Sequence, residues 1–309
     1  MTETVPNTVR IGTRGSPLAL AQAREVRARL IGAHPILAAP GAIEIVVIST
    51  TGDRVVDRNL STIGGKGLFT KEIEQALADG GVDIAVHSMK DVPTVLPDGL
   101  VIDCFLPRED PRDAFFSATG GDLAALSPGA TVGTSSLRRQ ALILHARPDL
   151  HVVPFRGNVE TRLAKLAAGK VDATLLAVAG LKRLGKADLI KIILPPETMM
   201  PAAAQGAVGI ERRAGDQRIQ ELLAPLNDAP TTYQVTAERA LLAELDGSCR
   251  TPIGALARID GATLRLAALV IQPDGTERHE VEVSGTLGDA ERIGREAGAQ
   301  LKARSRPVP

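Results

Sequence analysis

Hydrophobic and polar positions follow two rhythms along the first two thirds of this 309-residue chain. Short β-branched runs fit strands, and longer stretches with apolar residues every three or four positions fit helices. Residues 9–13 read as a strand. Residues 17–31 read as a helix, with Ser16 as N-cap and Pro17 in the first helical position, where a missing N–H costs nothing. The run EIVVIST (44–50) predicts a strand buried on both faces. A helix over 68–79, stopped by Gly80 and Gly81, leads into a strand over 83–87. Strands that alternate with helices in this way predict an α/β domain.

The rhythm resumes after PREDPRD (107–113), whose prolines and charges mark a crossing between domains. Strands over 130–133, 151–155 and 172–178 alternate with helices over 136–146, 158–168 and 180–184, which predicts a second α/β domain. From Thr231 the texture changes. A helix through TAERALLAELDG precedes alternating segments such as TLRLAALVIQ, Asp260-Gly261 and Asp274-Gly275 supply hairpin turns, and a last helix covers 287–301. A small α+β domain with an antiparallel sheet accounts for this part.

Composition narrows the function classes. Hydrophobic residues at 44% and charged residues at 23% are the balance of a globular chain, not a disordered one. Lys plus Arg (36) cancels Asp plus Glu (36), so any anion binding is local, and no bulk charge invites nucleic acid or a membrane surface. The chain has no Trp and one Tyr, too few aromatics for a base-stacking platform. The opening MTETVPNTVRIGTRG lacks the basic and apolar stretches of a secretory signal, and no spanning run of about 18 apolar residues follows. The expected location is the cytoplasm. Cys104 and Cys249 belong to no CxxC, and no histidine cluster has metal-ligand spacing, so neither a disulfide framework nor a metal site is expected.

Basic and hydroxyl residues recur where a predicted strand ends and a helix begins. In open α/β sheets that edge receives ligands, and the first turn of a helix adds unpaired N–H groups and a partial positive charge. Thr13-Arg14-Gly15-Ser16 joins close backbone approach to a guanidinium fork suited to a carboxylate, although Ser16 also fits a plain helix cap. GTSSLRRQ (133–140) puts Ser136, Arg138 and Arg139 in a first helical turn, where arginine is unfavourable against the dipole unless an anion is bound. Arg156 ends a strand in FRGNVETR, Arg162 lies in the next helix, and Arg183 follows Ala179 and Gly180. A single such arginine is ordinarily a solvated charge. Several at equivalent positions facing one cleft suit a long ligand bearing many carboxylates better than one phosphate.

AVHSMKDVP (85–93) sets Lys90 and Asp91 just past a strand, where Pro93 forbids an immediate helix. The pair reads either as a loop salt bridge or as a carboxylate that moves a proton or holds a cationic intermediate by charge. His87 reads as a packed core histidine. GGKGLF (64–69), with Lys66 and Phe69, lacks the ending of a P-loop and reads as a mobile flap over the cleft. LDGSCRTPIG holds Cys249 in a turn beside Arg250, which favours the thiolate. Local sequence leaves Cys249 open between a special anchor and an ordinary loop thiol. Cys104, in VIDCFLP, reads as a small core residue.

In order along the chain, RIGTRGSPLALAQA, GGKGLFTKEIE, AVHSMKDVP, GTSSLRRQ, FRGNVETRL, AVAGLKRL, QGAVGIE and the Cys249 loop resemble the porphobilinogen deaminase family over nearly the whole length. Each motif is weak alone, and the combination is specific. The resemblance implies three domains. Two α/β domains, 1–106 with 205–228 and 107–204, are similar to periplasmic-binding-protein lobes, and a C-terminal α+β domain, 229–309, carries the cysteine. It also implies a transferase of haem and tetrapyrrole synthesis that deaminates four porphobilinogen molecules and joins them head to tail on a dipyrromethane cofactor. Hydrolysis then frees the linear product.

On this resemblance Cys249 matches the thioether attachment point of dipyrromethane, and Asp91 matches the catalytic carboxylate. Lys90, Ser136, Arg138, Arg139 and Arg162 match cofactor-binding positions; Arg14, Ser16, Arg156 and Arg183 match substrate-binding positions; Lys66 and Phe69 match the active-site loop. Loss of ammonia from porphobilinogen leaves a cation that the Asp91 carboxylate stabilises, and each added ring brings two carboxylates for the arginines. The family implies a monomer; composition and spacing lead to the expectation of no metal and no nucleic-acid or membrane partner. Ala203 and Ala204 stand where the family more often has bulkier residues or glycine, and Ser248 stands where glycine is frequent.

Two other readings fit the residues. One is a non-catalytic, two-lobed binding protein for carboxylates, against which the missing secretion signal and the Cys249 loop speak. The other is an α/β transferase whose phosphate-bearing cofactor is cradled by GGKG or GTSS, for which the P-loop and dinucleotide fingerprints are missing.

Overall fold

The computed structural model describes residues 8–54, 67–245 and 252–305, apart from the side chains of Asp53 and Arg54. Lys66 and Cys249 lie outside the described residues. Two compact units divide the rest, one of 8–54, 67–108 and 207–232, the other of 109–206, 233–245 and 252–305.

In the first unit the chain forms β1 (Val9–Thr13), α1 (Pro17–Ala33), β2 (Ile43–Val47), α2 (Thr51–Arg54), α3 (Lys71–Ala78), β3 (Ile84–Ser88) and β4 (Leu100–Phe105). After Arg108 it enters the second unit with β5 (Asp113–Ser117), β6 (Thr131–Gly133), α4 (Leu137–Ala146), β7 (His151–Val153), α5 (Val159–Ala167), β8 (Ala173–Ala177), α6 (Val178–Arg183) and β9 (Ile192–Ile193). It returns to the first unit at Ala207 for β10 (Val208–Arg213) and α7 (Gln217–Leu223). The second unit then takes most of α8 (Ala229–Glu244), with β11 (Ile253–Asp260), β12 (Thr263–Ile271), β13 (Arg278–Thr286) and α9 (Ala290–Arg304).

Each unit has a five-stranded mixed sheet of the same design. The orders are β2-β1-β3-β10-β4 and β7-β6-β8-β5-β9. In the first, β1 runs parallel to β2 and β3, while β10 is antiparallel to β3 and β4. In the second, β6 runs parallel to β7 and β8, while β5 is antiparallel to β8 and β9. The antiparallel strand is in each case the one that the chain forms on entering or re-entering the unit. Within the second unit the entering and leaving segments touch: Glu109 N donates to Gly206 O at 3.2 Å. Gly206, at φ +91°, is needed there, because a Cβ would lie 2.3 Å from Glu109 O.

The strands and helices that the hydrophobic pattern predicts in the two α/β parts are present, but the pattern predicts neither β5 nor β10, and β2 needs a correction. β2 ends at Val47, and Val47 is 56% exposed, so this strand is not buried on both faces. It lies at the sheet edge with only β1 beside it.

Ile11, Val26, Leu30, Ile84, Val208 and Ile210 build the first core. In the second unit Phe115, Val132, Leu142 and Leu175 share a core with Leu256, Leu269 and Ile271 of the three-stranded antiparallel sheet β11-β12-β13. The opposite face of that sheet, with Leu264, Leu266, Ala268 and Val270, packs with Leu241 and Ile293. Side chains of a strand alternate between faces, so cover on both sides explains why TLRLAALVIQ loses its polar positions towards the end. Gly294 lets α9 approach α8; a Cβ would stand 2.2 Å from Ala237 O.

Candidate active site

The residues singled out by sequence stand just beyond the carboxyl ends of parallel strands in both units. Arg14 and Ser16 follow β1, and Lys90 and Asp91 follow β3. Ser136, Arg138 and Arg139 follow β6, Arg156 and Arg162 follow β7, and Arg183 ends the helix after β8.

In the first unit, Ser16 caps α1, its Oγ accepting from Ala19 N at 3.2 Å, and the buried Thr13 Oγ1 donates to Ala19 O at 3.2 Å. The turn between them is thereby fixed, with Arg14 half-buried beside it. The Arg14 guanidinium carbon lies 4.1 Å from the centroid of the Phe69 ring. Gly52 makes room for that ring, since a Cβ there would be 2.2 Å from Phe69 Cε1.

Asp91 is exposed between two buried neighbours, Met89 and Val92. Met89 sits over Gly209, where a Cβ would be 2.1 Å from its sulfur, and Met89 N donates to Ala207 O at 3.1 Å. Gln22 Nε2 donates to Ser88 Oγ at 2.8 Å. The loop is therefore pinned on either side of its exposed carboxylate, which can meet a cation or a proton from solution.

Behind the loop, His87 is a packed core histidine, its Nε2 2.9 Å from Glu211 Oε2, with both side chains buried. Glu74 is buried as well. Burial pushes its carboxyl above the usual range, and the nearby Glu211 adds to the shift. Cys104 is a core residue whose thiol burial pushes up to about 12, so it is inert.

In the second unit, Ser136 caps α4 by accepting from Arg139 N at 3.4 Å, and Asn158 caps α5 by accepting from Thr161 N at 2.8 Å. Arg156, Arg162 and Arg183 are half-buried. Arg162 Nε donates to Gly157 O at 2.9 Å, and Arg183 Nη2 to Gly206 O at 2.9 Å. Arg138 and Arg139 point inward and are almost fully buried. The anion they face within the chain is Asp113, which makes ion pairs with both at 2.8 and 2.7 Å. Burial opposes ionisation of Asp113, but the charges of Arg139 and Arg138 outweigh it and hold its carboxyl well below the usual range.

Asp113 and Gln205, which also bonds to Asp113, escaped the sequence reading. The available signal was the position of Asp113 directly before the apolar AFF of β5, where a linker charge has no reason to continue into a strand.

A dipyrromethane carrying carboxylates fits what these residues offer. Two guanidinium groups stand against one internal carboxylate, and the buried Arg138 Nε has no partner among the described residues. Among the described residues no cluster of His, Cys, Asp and Glu could hold a metal ion.

Comparison with known proteins gives the family. Residues 9–221 match the family model described as porphobilinogen deaminase, dipyromethane cofactor binding domain, and residues 232–303 match that of the porphobilinogen deaminase C-terminal domain. The porphobilinogen deaminase of Paracoccus denitrificans (strain Pd 1222) is 55% identical over 299 residues, covering 97% of this chain and 95% of that protein. Among solved structures, the periplasmic aliphatic sulphonate binding protein SsuA of Escherichia coli is 16% identical with a TM-score of 0.40, covering 78% of this chain and 71% of its own. The probable amino-acid ABC transporter extracellular-binding protein ytmK of Bacillus subtilis is 12% identical with a TM-score of 0.41, covering 74% and 94%. Likenesses that slight carry no weight beside the near full-length sequence match. The chain belongs to the porphobilinogen deaminase family.

Proposed function

We propose that the chain deaminates four porphobilinogen molecules and joins them head to tail on a covalently held dipyrromethane, then releases the linear tetrapyrrole by hydrolysis. Membership of the family carries this reading. It supports a transferase of porphyrin synthesis and gives nothing to a non-catalytic carboxylate-binding protein.

When bound, dipyrromethane supplies the nucleophilic pyrrole carbon from which the product starts. Cys249 is its thioether attachment point. Lys90, Ser136, Arg138, Arg139 and Arg162 hold its carboxylates, supported by the excess of guanidinium over carboxylate around Asp113. Arg14, Ser16, Arg156 and Arg183 hold the carboxylates of porphobilinogen and of the lengthening chain. Ser16 does so while capping α1, so its backbone and that of Arg14 stay fixed as ligands pass. Asp91 balances the positive charge that develops as ammonia leaves porphobilinogen, and it accepts the proton later lost from the ring carbon. Lys66 and Phe69 belong to a loop that shields these steps from water.

We assign three domains, 1–106 with 205–228, 107–204 and 229–309, the division that the family motifs imply. The working form is a monomer in the cytoplasm, without nucleic acid as a partner. No helix among the described residues is long and apolar enough to cross a membrane.

Intact-protein mass spectrometry tests the reading. The wild-type chain carries a covalent adduct of two pyrrole units, and Cys249→Ala lacks it. An unmodified wild-type mass, together with no release of ammonia from porphobilinogen, rejects the function.

A further inference from the structure

Asp113 has no role in the reaction as assigned above, yet it occupies the centre of a buried charged cluster. It opens β5 with no exposed surface. Arg138 Nη2 donates to its Oδ2 at 2.8 Å, and Arg139 donates through Nε to Oδ2 at 3.1 Å and through Nη2 to Oδ1 at 2.7 Å. Gln205 Nε2 donates to Oδ1 at 2.8 Å. Backbone carbonyls hold the guanidinium groups from behind: Arg138 Nη1 donates to Met200 O at 2.5 Å, and Arg139 Nη1 to Leu175 O at 3.0 Å.

The charge count of this cluster is unbalanced. Two buried cations face one buried anion, while Gln205 adds a donor without adding charge. A cluster serving stability alone gains nothing from an extra buried cation, because an uncompensated charge out of water is strongly unfavourable. The unused Arg138 Nε gives the excess charge a donor. Both arginines also start α4, whose N-terminal dipole raises the positive potential further. Asp113 remains ionised at any working pH, because Arg139 and Arg138 together overcome its burial.

We propose that Asp113 is a positioning residue for cofactor binding, which orients Arg138 and Arg139 together and cancels one of their two charges, so that the cluster receives a single ligand carboxylate. The inference rests on the function proposed above. It deepens that function by giving the arginine pair a fixed charge of one instead of two. Gln205 keeps the Asp113 carboxylate from turning away from the pair.

The test follows the rate at which full-length chain, prepared without cofactor, gains the two-pyrrole mass on incubation with porphobilinogen. In Asp113→Asn an amide N–H₂ is turned towards a guanidinium group and the pair repels. Loading slows by about tenfold or more, the effect of losing charge-assisted hydrogen bonds. The variant cluster also carries two charges, so added chloride slows its loading more steeply than that of the wild type. In a folded variant with a merely structural Asp113, the added positive charge leaves loading of an anionic ligand no slower than in the wild type. Should Asp113→Asn fail to fold, Gln205→Leu keeps both ion pairs and is read instead: slower loading with wild-type salt dependence supports the proposal, and wild-type loading overturns it. A folded Asp113→Asn that loads at the wild-type rate also overturns it. A wild-type chain that never gains the mass rejects the proposed function itself, so the two failures are distinguishable.

Discussion

The guanidinium group of Arg14 stacks on the ring of Phe69, 4.1 Å from its centroid, with Gly52 providing the space for the ring. A cation over a half-buried aromatic face gains about 0.5–1 kcal/mol. On the proposed function, the stack fixes the carboxylate-binding group of Arg14 before the ligand arrives. Phe69→Leu keeps the apolar bulk but not the ring face, and steady-state kinetics then show a KM for porphobilinogen raised by roughly 2- to 5-fold with kcat little changed. Gly52→Ala reaches the same end by displacing the ring, and it costs about 1–3 kcal/mol of stability as well. Unchanged KM values in both variants would remove Arg14 from substrate binding or the stack from its support.

Asp91 is exposed while Met89 and Val92 on either side are buried, so replacing its side chain leaves the loop anchored. Asp91→Asn is therefore expected to keep the fold and the two-pyrrole mass and, on the proposed function, to lose the charge that balances the cation left as ammonia departs. Turnover falls by about 10²- to 10⁴-fold, the usual contribution of a positioned acid–base group. Normal turnover in a loaded Asp91→Asn chain assigns the chemistry to another residue.

The hydrophobic rhythm of the chain was enough to place the parallel strands and the cap at Ser16. Ser136, expected inside a first helical turn, caps its helix instead, and the basic and hydroxyl residues follow strands β1, β3, β6, β7 and β8. The antiparallel strands β5 and β10 were harder to read. In β10 the sequence VGIERR looks polar, yet Glu211 and Arg212 are buried because His87 and Asp103 pair with them. Local pattern carries no record of such distant partners. The same holds for Asp113, which reads as one more linker charge until the fold brings Arg138 and Arg139 to it. Even the exposed edge position of β2 depends on strand order, which the run EIVVIST does not encode.

Ala204 has φ +59°, the sole positive value outside glycine among the described residues, and its N–H donates to the buried Glu238 Oε2 at 2.5 Å. Glycine would adopt this backbone without strain, and alanine adopts it at a cost. Left-handed backbone is unfavourable for an L-residue by about 1–2 kcal/mol, and a β-branched side chain makes it worse. Denaturant unfolding places Ala204→Gly within about 1 kcal/mol of the wild type, because relief of strain offsets the lost methyl and the freer unfolded chain. Ala204→Val loses about 2 kcal/mol or more at this site. Equal stabilities for alanine and valine would contradict the strained backbone.

Glu74 lends itself to a test by pH. Burial raises its carboxyl above the usual range, with Glu211 adding to the shift and His87 opposing it. A folded-state value above the unfolded one means that the folded chain binds the proton more tightly. Its contribution is then complete below the unfolded value, near 4.3, and is lost as pH rises through the folded value. Glu74→Gln has nearly the same shape and no charge to bury. At pH 4 the variant and the wild type unfold at similar temperatures, because Glu74 is largely protonated in the wild type. By pH 8 the wild type bears a buried carboxylate close to Glu211, and the variant unfolds at the higher temperature. A difference between the two melting curves that is the same at pH 4 and pH 8 comes from packing, and the burial account of Glu74 then fails.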